Sequence, residues 1–545
     1  MSDSLSVVMG YHRATKHHFN RYARGPDFMD WATQPDPFRR YQGAPLIALE
    51  RMPRESTPAY DLVFSSGSIS PQPLNARSIG QLFLDSLAIS AWKRSAGEAW
   101  ALRINPSSGN LHPTEGYLIC GAVQGLAESP VVCHYAPREH ALEVRTQVPF
   151  TLWEKLLQGF PWDVAFFGLT SIHWRESWKY GERAYRYCAL DVGHALGAIR
   201  MAAAGLGWQV SPVENLSSED LSLLLGLRDA EGAEEEEPDC LLAVYAGKGD
   251  GPKTWSLNRE AIPEFEALSW LGRPNRLSRS HVKWQAIDHV AEAARKPGGK
   301  GLYSVQGRQP GRGVPSLIED RPVSLREVIS KRRSAAAMDG VTRISLKGFY
   351  HILSRTLPGI PPQVPFDVLC WDSLVHLALF VHRVDGLEPG LYILIRNPAR
   401  KSALKGAMHG ALLWEKPQGC PESLELYLLA RGDMKRLSMQ ISCFQEIASD
   451  GCFSVGMIAE FRAPLQQAGP WFYPRLFWEC GMIGQMLYLE AEAAGLRGTG
   501  IGCFFDDGMH DMLGLQDTRF QDLYHFTVGG AVEDPRMATL PAYPE

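Results

Sequence analysis

Four short stretches of this 545-residue chain combine polar or cationic side chains with open backbone in ways that suit ligand chemistry. "RINPSSGNLHPTE" (103–115) breaks the apolar periodicity around it. Pro106, Ser107, Ser108, Gly109 and Asn110 favour turns and expose small polar groups. "SKRRSAAA" (330–337) ends a helical stretch, where Arg332, Arg333 and Ser334 offer guanidinium forks and a hydroxyl suited to a phosphate. "GTGIGCFFDD" (498–507) has three glycines in five residues, which lets a ring or tail approach the backbone closely. "WKYGER" (178–183) sets Lys179 beside Tyr180, with Arg175 and Arg183 four residues to either side. On a continuous helix those guanidinium groups share a face with Lys179, and their charge would make its amine readier to lose a proton. Taken singly, each stretch is equally a surface turn or a solvated helix end.

Composition narrows the context. The chain is 45% hydrophobic and 21% charged with a formal net charge of −5, a globular balance with no sequence-wide case for nucleic acid. No stretch approaches the roughly 20 apolar residues of a membrane span, and the first residues lack the zones of a signal peptide. The ten cysteines form no C-x-x-C pair, which reads as a reduced, cytoplasmic protein without a disulfide framework or zinc site. The adjacent His17 and His18 do not share a helix face, so no metal is expected.

The elements that must position these residues repeat. "LDVGHALGAIRMAAAGLG" (190–207) and "WECGMIGQMLYLEAEAAG" (478–495) align without a gap at an offset of 288, pairing Asp191 with Glu479 and Gly193 with Gly481. The same offset carries "LLGLRD" (224–229) onto "MLGLQD" (512–517). Both long segments have helical apolar spacing, and their small residues predict two helices buried against each other. Strand signals at 115–123, 240–247, 376–384, 390–395, 424–430 and 523–530 make the class α+β. The expected organisation is an N-terminal extension (1–75), a first domain (76–250), a Gly/Pro/Arg-rich linker (251–318) and a homologous second domain (319–545). The acidic run 230–239 reads as a solvated loop.

Together these pieces resemble the nitroreductase superfamily, and more closely its SagB/ThcOx-type dehydrogenases, which oxidise thiazoline or oxazoline rings in modified peptides. The resemblance is carried by "RINPSSGNLHPTEGYL", "WRESWKYGERAYRYCALDVGHALGA", "RRSA", "GMIGQMLYLEAEAAGLRGTGIGCFFDD" and "LYHFTVGGAVEDPR", across roughly residues 75–250 and 320–540. It implies two tandem nitroreductase-like domains forming an intramolecular pseudo-dimer, with FMN at their boundary. By the same resemblance, Arg332, Ser334, Gly500, Gly502 and Arg536 hold phosphate and ribityl, while Arg103, Pro106, Ser107, Ser108 and Asn110 lie against the ring. Lys179 and Tyr180 take the acid/base role. The implied activity is FMN-dependent oxidation of an azoline or other small heterocyclic or peptide substrate. The alternatives are an NAD(P)H-dependent nitro or quinone reductase, or a non-catalytic scaffold in a peptide-modifying complex.

Two departures stand out. The family's second phosphate cation is replaced by Ala336, with Arg333 and Arg343 as candidate substitutes. "DVLCW" (367–371) stands where "PSSGN" would recur, so one FMN per chain is expected. His194 reads as a satisfied core histidine, His112 as a possible substrate contact, and Asp506 and Asp507 as a helix cap.

Overall fold

The computed structural model describes residues 2–52, 58–65, 67–158, 160, 164–227, 232–246, 255–299, 323–359 and 363–543. Two antiparallel sheets flank a pair of long central helices. The first sheet has seven strands in the order Leu46–Ala48, Ala141–Gln147, Val131–Ala136, Thr114–Cys120, Val164–Ser171, Glu237–Tyr245 and Gln209–Pro212. The second has six, ordered Leu426–Arg431, Gly390–Leu394, Val375–Val381, Phe453–Glu460, Phe520–Gly529 and Arg497–Ile501. Their middle strands pair alike: Tyr117 lies opposite Gly168 in one and Ala378 opposite Gly456 in the other.

Both central helices, Ala184–Gly205 and Tyr473–Ala493, are buried along nearly their whole length. Small residues allow this. A Cβ on Gly193 would fall on the Trp478 carbonyl oxygen, and one on Gly481 on the Leu190 carbonyl oxygen. Leu190 and Trp478 are themselves 288 residues apart, so the two contacts are reciprocal. Tyr185 and Tyr473, again 288 apart, stack with ring centroids 6.3 Å apart and planes 6° from parallel. Contacts that exchange in this way are what a local two-fold relation between the halves produces.

The N-terminal helix Ser2–Ala14 seals this junction. Tyr11 lies edge-on to both Tyr185 and Tyr473, and buried His12 reaches Tyr473 Oη and Gln521 Oε1 at 3.2 and 3.1 Å. Within the expected linker, helix Gln285–Ala293 buries Ile287 and Val290, while residues 251–254 and 300–318 lie outside the described residues.

The acidic run differs from expectation, and residues 230 and 231 lie outside the described part. Glu234 accepts the Leu277 and Ser278 amides at 2.9 Å, and Glu236 accepts the Tyr117 hydroxyl at 2.7 Å and Arg39 Nε at 3.2 Å. Inward-facing donors satisfy these carboxylates, and Glu237 opens a strand instead of continuing a loop. Among the described residues no helix is long and apolar enough to cross a membrane.

The glycine contact generates a first prediction. Gly193→Ala or Gly481→Ala forces the central helices apart, an overpacking cost of about 1–3 kcal/mol. Gly10, with open space at its Cβ position, serves as the control and gains stability on substitution by Ala. Urea unfolding midpoints check this; equal shifts at all three sites contradict the close approach.

Candidate functional site

The turn is built by its neighbours. Strands Ile89–Ser95 and Glu98–Arg103 form a hairpin that delivers the chain into residues 104–112, after which Thr114 starts the central strand of the first sheet. Gly109, Asn110 and His112 all have left-handed φ, at 58°, 60° and 53°. The turn braces itself: Asn110 Nδ2 donates to the Ala101 carbonyl at 2.7 Å, and the His112 amide donates to Ser107 Oγ at 2.8 Å. Below it, Ser107 Oγ donates to Glu176 at 3.2 Å and the Ser108 amide to Asp191 Oδ1 at 3.2 Å. Gly109 is needed for space as well as φ, since Lys179 Nζ lies 3.2 Å from where its Cβ would stand and the Tyr180 hydroxyl lies closer.

The facing wall comes from the second half. Helix Leu325–Lys331 ends at Arg332, whose Nη2 donates to the Arg103 carbonyl at 2.9 Å, tying the two walls together. The Ala335 amide donates to the Gly498 carbonyl at 3.1 Å. Tyr488, from the second central helix, pairs with Ser334 Oγ at 2.8 Å and accepts the Gly500 amide at 2.9 Å. A Cβ on Gly500 would meet the Tyr524 hydroxyl, and one on Gly502 the Tyr187 ring.

Between these walls lies a cavity of about 540 Å³ lined by residues of both halves, including Arg103, Ser107, Ser108, Arg332, Ser334 and Gly500. Pro106, Asn110, Tyr180 and Gly502 also line it. Lys179 stands at the turn, half-buried, its Nζ 5.3 Å from the centre of the Tyr180 ring. Arg536 is not brought in: its side chain is 84% exposed and pairs with Asp534 at 2.8 Å. Of the two candidate replacements for the missing cation, Arg333 is in the wall, whereas Arg343 is exposed and paired with Asp385. The wall also contains Arg497, which the sequence motifs did not single out.

Buried charge shows what the cavity lacks. Arg332 is 3% exposed, with Nε and Nη1 unpartnered, and burial pushes its pKa down to about 10. Arg103, also 3% exposed, is pushed to about 10 by burial, with Arg175 adding to the effect. A buried cation without a counter-ion is costly, and an anion placed in the cavity would relieve that cost. The donor set therefore fits the phosphate of FMN, while Gly500 and Gly502 make room for Tyr524 and Tyr187.

Two expectations about charge are corrected. Arg175 and Arg183 do not act on Lys179: Arg175 pairs with Glu115, and Arg183 with Asp506 at 2.8 Å. The helix carrying Lys179 stops at Gly181, whose φ of 56° turns the chain away before Arg183. Asp506 is not a cap. Phe505 holds that position, while Asp506 is fully buried between Arg183 and Arg186 and accepts the His17 amide. Burial opposes its charge, but the two guanidinium groups outweigh that and hold its carboxyl far below the usual range.

His194 pairs through Nδ1 with Gln485 and through Nε2 with Tyr524, at 3.3 and 3.2 Å, and burial depresses its pKa to about 3. It bridges the halves as a satisfied core histidine that also faces the cavity. His112 lines the cavity too, with its ring 3.4 Å from the Ala101 carbonyl. Sequence reading missed Tyr488, Tyr187, Glu176 and Asp191 as site residues; the Asp191–Glu479 pairing in the repeat was the one signal pointing to any of them.

Comparison with known proteins follows this geometry. The Nitroreductase family matches residues 96–248. No curated protein matches the chain. A crystal structure from Anabaena variabilis ATCC 29413, provisionally named a nitroreductase, covers 96% of this chain and 99% of its own, with a TM-score of 0.68 and 20% identity. The E. coli microcin synthetase McbBCD complex, with truncated pro-MccB17 bound, covers 46% of this chain and 95% of its own at 17% identity, with a TM-score of 0.28, too low to bear on the fold. The chain thus has the fold of the Anabaena protein, and the match to the Nitroreductase family model is confined to residues 96–248.

Proposed function

We propose that the chain is an FMN-dependent oxidoreductase of the SagB type that oxidises an azoline-like ring in a small or peptide substrate. In this reading two tandem nitroreductase-like units form one pseudo-dimer and share a single flavin. The observation that carries it is the cavity that puts Ser107 and Ser108 from one half opposite Arg332 and Ser334 from the other. Arg332, Ser334 and the Gly500–Gly502 backbone hold the phosphate end, with Arg333 and Arg497 supplying the charge absent at Ala336. Ser107, Ser108 and Asn110 border the ring. When bound, FMN supplies a two-electron acceptor.

The chain's own residues do the rest. Lys179 and Tyr180 meet over Gly109, and in this reading they would serve the substrate's carbon-bound hydrogen. The amine takes the proton and the Tyr180 hydroxyl orients the ring nitrogen. Tyr180 stays protonated, since burial first and then the nearby Glu176 raise its pKa well above the ordinary value. The Tyr187 ring, edge-on to Tyr180 at 4.7 Å, keeps water from that corner.

Three measurements test this. Inorganic phosphate raises the melting temperature of the chain, and Arg332→Gln abolishes the rise; equal rises in both would show that the anion binds elsewhere. FMN titration saturates at one per chain, and Arg332→Gln weakens it roughly 10–100-fold, as loss of one or more charge-assisted bonds implies. Saturation at two per chain contradicts a single shared site. A thiazoline-containing peptide bleaches the bound flavin anaerobically, and Lys179→Ala slows this about 10²–10⁴-fold. Bleaching by NADPH with no response to the peptide would instead identify a nitro or quinone reductase, and a chain that never takes up FMN would identify a scaffold.

A further inference from the structure

Two carboxyl groups behind the serine turn have fewer donors than they need. Glu176 is fully buried on the short helix that carries Lys179 and Tyr180, and Asp191, 2% exposed, comes from the first central helix and lines the cavity. Glu176 accepts the Ser107 hydroxyl, and Asp191 Oδ1 accepts the Ser108 amide at 3.2 Å and its hydroxyl at 3.5 Å. Glu176 Oε2 and Asp191 Oδ2 receive no donor, and the two carboxyls, held by consecutive residues of one turn, face each other. Ionised carboxylates only accept hydrogen bonds, so a hydrogen bond between the two requires a proton. Two buried carboxyls side by side resist ionising together, because each negative charge raises the other's pKa.

The surroundings do not neutralise them. Arg175 is engaged by Glu115 and Arg183 by Asp506. The titratable groups facing the pair are Lys179 and Tyr180 from the short helix, Cys188 from the central helix and Tyr524 from the second sheet. Lys179 is the one cation among them. The repeat sharpens the contrast. Glu479, at the position of Asp191, is saturated by Trp371, Ser373, the Leu374 and Val375 amides and Arg396, and Pro464 stands where Glu176 would recur.

We propose that Glu176 and Asp191 share one proton, as an acid and a carboxylate, and that this pair exchanges protons with the Lys179–Tyr180 corner. They are positioning residues acting through Lys179 and Tyr180, and the proposal rests on the acid/base reading of that corner. When the corner takes a proton from a substrate, the singly charged pair takes one in turn and becomes two neutral acids. Return of that proton to water restores it. Only N–H and O–H bonds change, and no electrons move within the pair. Burial and then mutual repulsion raise Glu176 well above its ordinary range, and burial raises Asp191 to about 8, so the pair keeps at least one proton near neutrality.

Isosteric amides separate this from a purely structural role. Asp191→Asn and Glu176→Gln replace the shared proton with an amide donor, and the full chain without FMN is the sample. A carboxyl whose folded pKa lies above its unfolded value favours the folded state most below the unfolded pKa, near 4, and loses that contribution as pH rises through about 8. The melting temperature of each variant relative to wild type therefore climbs across that window and levels above it. In infrared difference spectra near neutral pH, the carbonyl stretch of a protonated carboxyl is present in wild type and lost when both substitutions are combined. With FMN and the thiazoline peptide, the pH profile of flavin bleaching shifts in both variants while peptide affinity holds. A pH-independent stability difference, or an infrared band that persists in the double variant, overturns the shared proton. An unshifted profile overturns the link to Lys179 and Tyr180. Peptide inertness with the first two results intact instead counts against the azoline reading.

Discussion

The approach of Gly193 to Gly481 is the constraint on which the rest of the architecture depends. Any side chain at either position would meet the opposing helix backbone, so the two long helices lie as close as helices can. That closeness sets the floor of the cavity. Asp191, two residues before Gly193, meets the Ser108 amide, while Tyr488, seven residues after Gly481, meets Ser334 and the Gly500 amide. A single glycine contact thus fixes both walls against each other, and the Arg332 bond to the Arg103 carbonyl closes the gap at the rim.

Approximate symmetry in the helices does not extend to chemistry. On one side, buried cations and carboxyls face the cavity with donors and acceptors to spare, as a binding site must. On the other, Arg396 and Glu479 pair at 2.6 Å, Trp371 and Phe366 fill the surrounding space, and Asp367 takes a bidentate contact from Arg200. A carboxylate satisfied in this way stabilises packing.

Much of this was legible from residues alone. The glycine and alanine pattern predicted the two buried helices, and the strand signals at 115–123 and 376–384 fell on the central strands Thr114–Cys120 and Val375–Val381. The turn at 106–110 and "RRS" were visible as local chemistry, yet only the fold puts them in one cavity. Charge pairing was not legible. Arg175 lies four residues before Lys179, but its partner is Glu115, a strand residue far along the chain, and no helical spacing reveals that choice. The acidic run failed for the same reason: its glutamates are matched by Arg39, Tyr117 and the amides near residue 277. Arg536 failed because Asp534, two residues away, holds it at the surface. Sequence neighbours can be read; partners brought together by tertiary folding cannot.

Hydrogen–deuterium exchange of the full chain during FMN titration tests the central claim most directly. One composite site predicts that peptides spanning 103–112, 332–336 and 498–503 gain protection together, along a single curve that saturates at equimolar FMN. Protection confined to one half, or two curves with different midpoints, would contradict a cavity shared between the halves.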